Sequence, residues 1–397
     1  MTDKGLRFIH MDPVNFQDFP VGGTLSFARQ LISQFKNEVA LVGLITEASE
    51  PVGKWFIKEI NGTSFHYFGI SRYKKSGKKP LIPIRLQTFG SLLYHLPEIR
   101  KIGLRNVFTR SPQFLFALRM FDWNSICFCF AGIANSVAHS RYKPLRAFGI
   151  TYEKMLFRTL KKSVNVILAS ADRESITEAV NRTGNIIASD KITIFPTRFD
   201  PRIFSPSDKT ECRKKLNINE DDILILTTGR LSWIKGWQLM MDTAKELHSD
   251  RSFKNLKVIF AGEGEDREKI EDYGRQLIDS GIVVLAGKLK QNEISVYLNA
   301  ADVFVMASHY EGWPTSLVEA MACGCAIVTT KVSASADIVN DGVNGYIIED
   351  RDPVKFAGMI KKAMKLKNVK EYSLVARDRF SVDKLKTDLE KVWLSVI

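Results

Sequence analysis

Short runs of apolar, often β-branched residues recur along the whole chain and alternate with segments long enough to form amphipathic helices. The runs in the first half are RFIHMD, VALVGLIT, FHYFGI, NVFTRS, SICFCF, NVILAS and KITIFP, and those in the second half are ILILTTGR, KVIFAGEG, IVVLAG, VFVMAS, AIVTT and GYIIE. Strands that are apolar almost throughout and alternate with helices are typical of parallel sheets buried on both faces. The pattern predicts an α/β fold with doubly wound sheets.

The two series of strands are separated by the segment FPTRFDPRIFSP, where the pattern breaks. This break predicts two Rossmann-like domains in tandem, over residues 1–195 and 196–375. The last segment, 376–397, is predicted to form one amphipathic helix. Because ligands of doubly wound folds bind beyond the carboxyl ends of the strands, the expected site is a cleft between the two domains.

Composition favours a globular protein that does not span a membrane. The chain has 397 residues, of which 45% are hydrophobic and 25% charged, and no run approaches the roughly 18 apolar residues of a membrane-spanning helix. The first residues, MTDKGLRFIHMD, lack the apolar region of a signal peptide. The five cysteines have no nearby histidine, which favours buried thiols over a zinc site. We expect a cytoplasmic protein.

The formal net charge of +13 is concentrated in the first half. Basic residues dominate the segments 66–110 and 140–162, where they are interleaved with leucine, phenylalanine and tyrosine. This mixture suits peripheral contact with an anionic membrane or a phosphorylated partner, while a solvated basic face is the plainer alternative. No recognition motif supports nucleic acid.

Residues just after the predicted strands are the candidates for binding. Gly22 and Gly23 open a helix after the first strand, where backbone can approach a phosphate closely. Arg230 and Lys235 follow the first strand of the second domain and are suited to holding a diphosphate. Two later strands end in Gly262-Glu263-Gly264 and in Gly287-Lys288.

The segment EGWPTSLVE begins with Glu311, just beyond the strand VFVMAS, and ends with Glu319. Pro314 can occupy the first turn of the helix that follows, since proline there sacrifices only an unpaired donor. The backbone N–H groups of Thr315, Ser316 and Leu317 are then free to bind an anion. The two glutamates are therefore expected to contact different ends of one ligand whose phosphates lie between them.

Together these motifs, followed by AMACGCAIVTT, resemble the retaining glycosyltransferases of family 4, which have the GT-B fold. The resemblance is specific from about Phe195 onward and rests on the glycine loop in the first half. It implies two facing Rossmann-like domains with a C-terminal helix that crosses back to the first domain.

The resemblance also implies a role for each motif. Arg230 and Lys235 would neutralise the diphosphate of a nucleotide-sugar donor, Glu319 would hold the ribose and Glu311 the transferred sugar. Gly22 and Gly23 would approach the phosphate, and Gly262, Glu263, Gly264 and Lys288 would lie near the base. Such a site stabilises the leaving group without a metal ion or cofactor, so the nucleotide sugar is a co-substrate.

The first domain departs from the family in one respect. Members commonly carry His-Gly at the end of one strand, where this chain has Ala131-Gly132, and His139 is the candidate for the missing imidazole. Asp350-Arg351-Asp352 matches a metal signature of another glycosyltransferase fold, but the triplet occurs often by chance and we expect no metal there.

The expected function is transfer of a sugar, with retention, to a lipid-linked or polysaccharide acceptor in the synthesis of a bacterial envelope glycan such as O-antigen, capsule or lipopolysaccharide. The expected location is cytoplasmic, with peripheral contact at the inner face of the cell membrane. Two alternatives stay open. One is a nucleotide-sugar epimerase of GT-B type, and the other is an inactive module that binds a sugar nucleotide or a membrane.

Overall fold

A computed structural model describes residues 5–20, 22–73, 84–133 and 148–395. The chain divides into two compact units, one comprising Met1–Pro196 with Leu385–Ile397 and the other Thr197–Lys384. Among the described helices, none combines the length and the apolar character that crossing a membrane requires.

The first unit is built on an eight-stranded sheet in the order β3-β4-β2-β1-β5-β6-β7-β8. Apolar side chains are buried on both faces of the sheet, for example Ile9 and Val107 on one face and Phe8 and Phe108 on the other, which explains why its parallel strands are apolar almost throughout. Its strands are β1 (Phe8–Met11), β2 (Val39–Ile45), β3 (Trp55–Ile60), β4 (Thr63–Arg72), β5 (Asn106–Thr109), β6 (Ser125–Phe130), β7 (Val166–Ala169) and β8 (Ile192–Ile194). Its helices are α1 (Gly23–Phe35), α2 (Ile84–Ile99), α3 (Pro112–Leu118), α4 (Gly149–Ser163) and α5 (Arg173–Thr183).

Strand β3 is an addition to the predicted pattern, and it runs antiparallel to β4 at the edge of the sheet. The two strands are joined at Asn61 and Gly62, both of which have positive φ. Asn-Gly is the dipeptide that two-residue hairpin turns favour, so the sequence does carry a signal for this hairpin. The expectation of a purely parallel first sheet is therefore wrong at this edge.

The second unit contains a six-stranded parallel sheet in the order β11-β10-β9-β12-β13-β14. This order makes β9 and β12 the neighbours at which the winding reverses, which is the ligand-binding position of doubly wound folds. The strands are β9 (Ile223–Thr228), β10 (Leu256–Ala261), β11 (Val283–Gly287), β12 (Val303–Met306), β13 (Ala326–Thr330) and β14 (Gly345–Ile348). The helices are α6 (Lys209–Lys215), α7 (Trp237–Ser249), α8 (Arg267–Tyr273), α9 (Arg275–Asp279), α10 (Gln291–Ala300), α11 (Thr315–Ala322), α12 (Ser335–Ile338), α13 (Pro353–Ala363) and α14 (Val369–Phe380).

The tail is not the single helix predicted for 376–397. Helix α14 ends at Phe380, because Phe199 donates its N–H to the Phe380 carbonyl (3.0 Å) and accepts the N–H of Val382 (2.9 Å). A new helix, α15 (Leu385–Leu389), continues as a π-helical turn at Glu390–Leu394.

The segment from Leu385 onward belongs to the first unit, as the expected return of the C-terminus implies. Trp393 is fully buried there, and its indole Nε1 donates to Ser125 Oγ at 2.8 Å. Its ring meets that of Phe8 edge to face, with 5.3 Å between centroids. The tail is thus part of the first unit's core.

Candidate functional site

The second unit brings the predicted residues together at the carboxyl ends of β9 and β12. Gly229 and Arg230 follow β9 directly, and Glu311 lies in the loop between β12 and α11. Arg230 is exposed, and its guanidinium has no hydrogen-bond or ion-pair partner among the residues that the structure describes. Arg230 and Lys235 line one shallow pocket with Gly229 and Leu231.

The glycines after β10 allow two backbone turns to touch. A Cβ atom on Gly262 would lie 1.7 Å from the carbonyl oxygen of Gly229, and one on Gly264 would lie 2.2 Å from that of Leu231. The N–H of Leu231 donates to the Glu263 carbonyl at 3.1 Å. These glycines therefore fix the shape of the turn that carries Arg230, a role that the sequence left unassigned.

Lys235 and Glu311 form an ion pair, with 2.5 Å between Nζ and Oε1. Ser308 Oγ donates to the same carboxylate oxygen at 2.7 Å. The second oxygen, Oε2, has no partner within the described part of the chain and is available to a ligand. An ammonium group carries three donors, so Lys235 also retains donors beyond this pair.

Three residues that the sequence analysis missed hold the Glu311 loop. Arg351 donates to the carbonyl oxygens of Ala307 (2.9 Å) and Ser308 (3.3 Å). Thr330, at the end of β13, donates from Oγ1 to the Ser308 carbonyl at 2.7 Å. Ser308 lies just beyond β12 and Thr330 is the last residue of β13, so their positions at strand ends are the signal in the sequence that could have identified both.

Gly236 allows the turn that carries Lys235 to pack closely against the end of β12. Its φ is +68°, and a Cβ atom at this position would lie 1.8 Å from the Ala307 carbonyl oxygen. The His309 N–H donates to the Ile234 carbonyl at 2.8 Å. The two loops that carry Lys235 and Glu311 therefore pack as one unit.

Helix α11 begins at Thr315, and Pro314 is its N-cap rather than part of its first turn as predicted. The N–H groups of Thr315 and Ser316 have no acceptor among the described residues. The N–H of Leu317 donates to the Pro314 carbonyl at 3.1 Å, so the expectation that it is free is wrong. Two donors, not three, face outward from this helix end.

The other end of α11 has the predicted glycine. Gly324 has φ +71° and follows the C-cap residue Cys323. Gly324 donates its N–H to the Met321 carbonyl and Cys325 donates to the Ala320 carbonyl, at 2.9 and 3.1 Å. This is a Schellman motif, and it ends the helix as the sequence predicts.

Glu319 is half-buried on α11, and its carboxylate has no partner among the described residues. Its neighbours Val318, Ala320 and Met321 are apolar and buried. Desolvation raises the pKa of this carboxyl to about 8. A carboxylate without a hydrogen-bond donor in apolar surroundings is costly unless a ligand supplies one, which makes Glu319 a candidate for ligand binding.

Glu263 and Lys288 lie at the ends of β10 and β11. The Glu263 carboxylate pairs with Arg267 Nη1 at 2.5 Å, and a Cβ atom on Gly287 would lie 3.3 Å from Glu263 Oε1. Lys288 is exposed next to Gly287. These residues therefore lie beside β9 on the side opposite β12.

In the first unit, α1 begins at Gly23, with Gly22 as its N-cap. A Cβ atom on either glycine would meet nothing within 4 Å, so the space beside this turn is open. Arg110, which the sequence analysis did not select, is buried beside it and donates to Ser170 Oγ at 3.3 Å. Ala131 follows β6, whereas His139 lies outside the described residues.

Two features considered as metal ligands have other roles in the structure. Asp352 caps α13 by accepting the N–H of Val354 at 2.8 Å, and Asp350 pairs with Lys355. Cys127, Cys129, Cys212, Cys323 and Cys325 are buried free thiols, and burial raises the pKa of each.

Comparison with known proteins gives one family match. Residues 208–375 match the model for glycosyl transferases group 1. The D-inositol 3-phosphate glycosyltransferase of Geodermatophilus obscurus is 29% identical over 178 residues, which are 43% of this chain and 40% of that protein. The matched region thus spans less than half the length of this relative.

Three solved structures resemble nearly the whole chain. Sucrose-phosphate synthase from Thermosynechococcus elongatus has a TM-score of 0.76 at 16% identity and covers 98% of this chain and all of its own. HepE from Anabaena in complex with UDP-glucose has a TM-score of 0.69 at 14% identity, covering 98% and 99%. WaaG, a glycosyltransferase of lipopolysaccharide biosynthesis, has a TM-score of 0.70 at 17% identity, covering 97% and 99%. These likenesses concern the fold.

Proposed function

We propose that this chain, which carries a group 1 glycosyltransferase domain on a GT-B fold, transfers a sugar from a nucleotide-diphosphate donor to a glycan or lipid-linked acceptor. The observation that carries the proposal is the site at β9 and β12. Arg230 and Glu319 have no partner among the described residues, and no described residue accepts the N–H groups of Thr315 and Ser316. These groups and the Lys235–Glu311 pair lie at one edge of the second unit's sheet.

These groups match the parts of a nucleotide sugar in order. Glu319 accepts hydrogen bonds from the ribose hydroxyls, which supply the donors that its surroundings lack. Arg230, Lys235 and the N–H groups of Thr315 and Ser316 bind the diphosphate. Glu311 Oε2 accepts from a hydroxyl of the transferred sugar. Gly262, Glu263, Gly264 and Lys288 border the base.

The chemistry that this arrangement favours is stabilisation of the departing diphosphate. Negative charge on the leaving oxygen grows as the glycosidic bond breaks, and fixed donors aimed at it lower the barrier. Arg230 and Lys235 supply the compensating positive charge, so we propose a reaction independent of metal ions. Retention of configuration is part of the proposal, with the acceptor attacking the face from which the diphosphate leaves.

The acceptor class is supported more indirectly. The structural neighbour WaaG acts in lipopolysaccharide biosynthesis, which agrees with an envelope glycan acceptor for this chain. On the acceptor side, we propose that His139 supplies the imidazole that related glycosyltransferases carry at the position of Ala131. An epimerase, by contrast, would release no sugar to an acceptor.

Contact with an anionic membrane is also proposed, from the surface of α4 in the first unit. Arg158, Lys161 and Lys162 are exposed there, together with the apolar side chains of Ile150 and Met155. The acidic residue of this helix, Glu153, is buried and pairs with Arg182 at 2.7 Å. The exposed face is therefore cationic and partly apolar, which suits a cytoplasmic protein at the inner face of the membrane.

The proposed function is tested by a donor screen. UDP-, GDP- and ADP-sugars are incubated with the protein in the presence of a chelator, and release of the nucleoside diphosphate and protection against thermal unfolding are measured. We expect one base to give both signals, and the anomer of any transferred or hydrolysed sugar, determined by NMR, to be retained. Formation of an epimeric nucleotide sugar would favour the alternative enzyme, and binding without turnover would favour an inactive module.

A further inference from the structure

Trp233 lies beside the Lys235–Glu311 pair and has no role in the site described so far. It belongs to the short helical turn Trp233–Lys235 between β9 and α7. Its indole stacks on the imidazole of His309, with 4.3 Å between ring centroids and 15° between planes. The turn and the loop after β12 therefore meet along three successive contacts, at Trp233, Ile234 and Lys235.

The exposure of Trp233 is unusual for a tryptophan. Its relative exposure is 58%, whereas Trp237 and Trp313 in the same unit are 6% and 4% exposed. His309 covers one face of the indole, and the neighbouring Ile234 is 38% exposed. Burial and the charge of Arg351 lower the pKa of His309, which favours the neutral imidazole. The second unit thus presents a supported aromatic surface to a ligand.

The sheet order places this surface at one end of the proposed donor site. Gly262 and Lys288, which border the base, follow β10 and β11 on one side of β9. Trp233 and His309 instead bridge the ends of β9 and β12, beside Glu311. The surface therefore lies beside the residue proposed for the sugar, on the side of β9 away from β10 and β11.

We propose that Trp233, supported by His309, is a stacking subsite for a pyranose ring. The C–H groups on one face of a pyranose form an apolar, weakly positive surface that complements the negative face of an indole. Its hydroxyl groups point outward from the ring edge, where Glu311 Oε2 can accept one of them. The ring belongs to the transferred sugar or to the acceptor, and the inference rests on the proposed function.

The test uses the full chain with Trp233→Ala, Trp233→Phe and Tyr94→Ala. Tyr94 is 80% exposed on the first unit and is the matched control for loss of a surface aromatic ring. Calorimetry gives the dissociation constants of UDP, GDP and ADP and of UDP-glucose, GDP-mannose and ADP-glucose. The ratio of the dissociation constant of each nucleotide to that of its sugar form is called the sugar increment. Saturation-transfer NMR with methyl α-glucopyranoside and methyl α-mannopyranoside, in the presence of UDP, GDP or ADP, reports acceptor-type binding.

If the ring is that of the donor, Trp233→Ala lowers the sugar increment about three- to tenfold, whereas Trp233→Phe retains most of it. The affinity for the nucleotide without its sugar is unchanged in both variants. If the ring is that of the acceptor, the increment is unchanged and Trp233→Ala abolishes saturation transfer to the pyranosides, whereas Tyr94→Ala does not. If the wild-type protein binds a nucleotide but Trp233→Ala changes neither the sugar increment nor the saturation transfer, the inference is overturned and the proposed function stands. Failure of the wild-type protein to bind any of the nucleotides overturns the proposed function, and the inference with it.

Discussion

Lys235 Nζ lies 2.5 Å from Glu311 Oε1 across 76 residues of sequence. The pair joins the turn after β9 to the loop after β12, and neither group is fully exposed, with 32% and 13% of the side-chain surface accessible. The residue proposed for the diphosphate and the residue proposed for the sugar are therefore coupled before any ligand binds.

This coupling predicts non-additive mutants. Lys235→Met and Glu311→Gln should each lower sugar transfer by at least about a hundredfold, while the double mutant should be little worse than the poorer single mutant. The reason is that either change leaves the other group misplaced. Steady-state kinetics on the four proteins give the coupling free energy. Independent losses that multiply in the double mutant would mean that the two groups act separately.

No described residue pairs with Arg230, so its guanidinium is predicted to interact only with the leaving diphosphate. Arg230→Ala should reduce turnover of the nucleotide sugar by about a hundredfold or more, because charge that develops in the transition state loses its partner. Arg230→Lys is the control that retains the charge and loses the two-pronged geometry, and its loss should be smaller. Turnover that is unchanged in Arg230→Ala would exclude the phosphate role.

Gly236 gives a stability prediction with a matched control. Gly236→Ala introduces a Cβ atom 1.8 Å from the Ala307 carbonyl, whereas Gly281→Ala, at nearly the same φ of +75°, meets nothing within 4 Å. Gly281→Ala should cost about 1 kcal/mol for the backbone conformation alone, and Gly236→Ala about 3 kcal/mol or more. Urea unfolding followed by circular dichroism compares them. Equal midpoints would show that the turn is not seated tightly against β12.

Much of this architecture could be predicted from sequence because parallel strands buried on both faces are continuous apolar runs. Each strand from β9 to β14 coincides with such a run, and the end of α11 was marked by Gly324. Strand β3 was missed because Lys58 and Glu59 interrupt the apolar pattern of WFIKEI at a sheet edge, although Lys58 is buried and pairs with Glu50 at 2.8 Å. The Lys235–Glu311 pair and the bracing by Arg351 could not be predicted, since both depend on which strands become neighbours.

The surface of α4 predicts salt-sensitive binding to membranes. The triple variant Arg158→Glu/Lys161→Glu/Lys162→Glu should have a partition coefficient for phosphatidylglycerol vesicles that is lower by at least about a hundredfold, as measured by sedimentation. The reason is that each basic residue contributes about 1 kcal/mol near an anionic surface. Binding of the wild-type protein should weaken as salt rises. Lys365→Glu/Lys367→Glu, at exposed positions of the second unit, is the control. Salt-insensitive binding, or none, would indicate an ordinary solvated face.

Glu319 makes the stability of the protein depend on pH in a specific direction. Its pKa is about 8 in the folded protein, above the usual 4.5 that applies after unfolding. Between these values the folded state holds a proton that the unfolded state releases, so this group's contribution to stability is present below pH 4.5 and is lost as pH rises toward 8. Relative to Glu319→Gln, the wild-type melting temperature should fall across this window and level off above it.

Nucleotide binding should reverse the protonation of Glu319. Ribose hydroxyls that donate to the carboxylate favour its charged form, so binding at pH 7.5 should release up to about one proton. Calorimetry in buffers of different ionisation enthalpy measures this release, which should disappear in Glu319→Gln and persist in Glu349→Gln, a control at an exposed position. Proton release equal in all three proteins would show that the ribose does not contact Glu319. For the stability prediction, melting temperatures of wild type and Glu319→Gln that change in parallel with pH would show that the Glu319 carboxyl titrates normally.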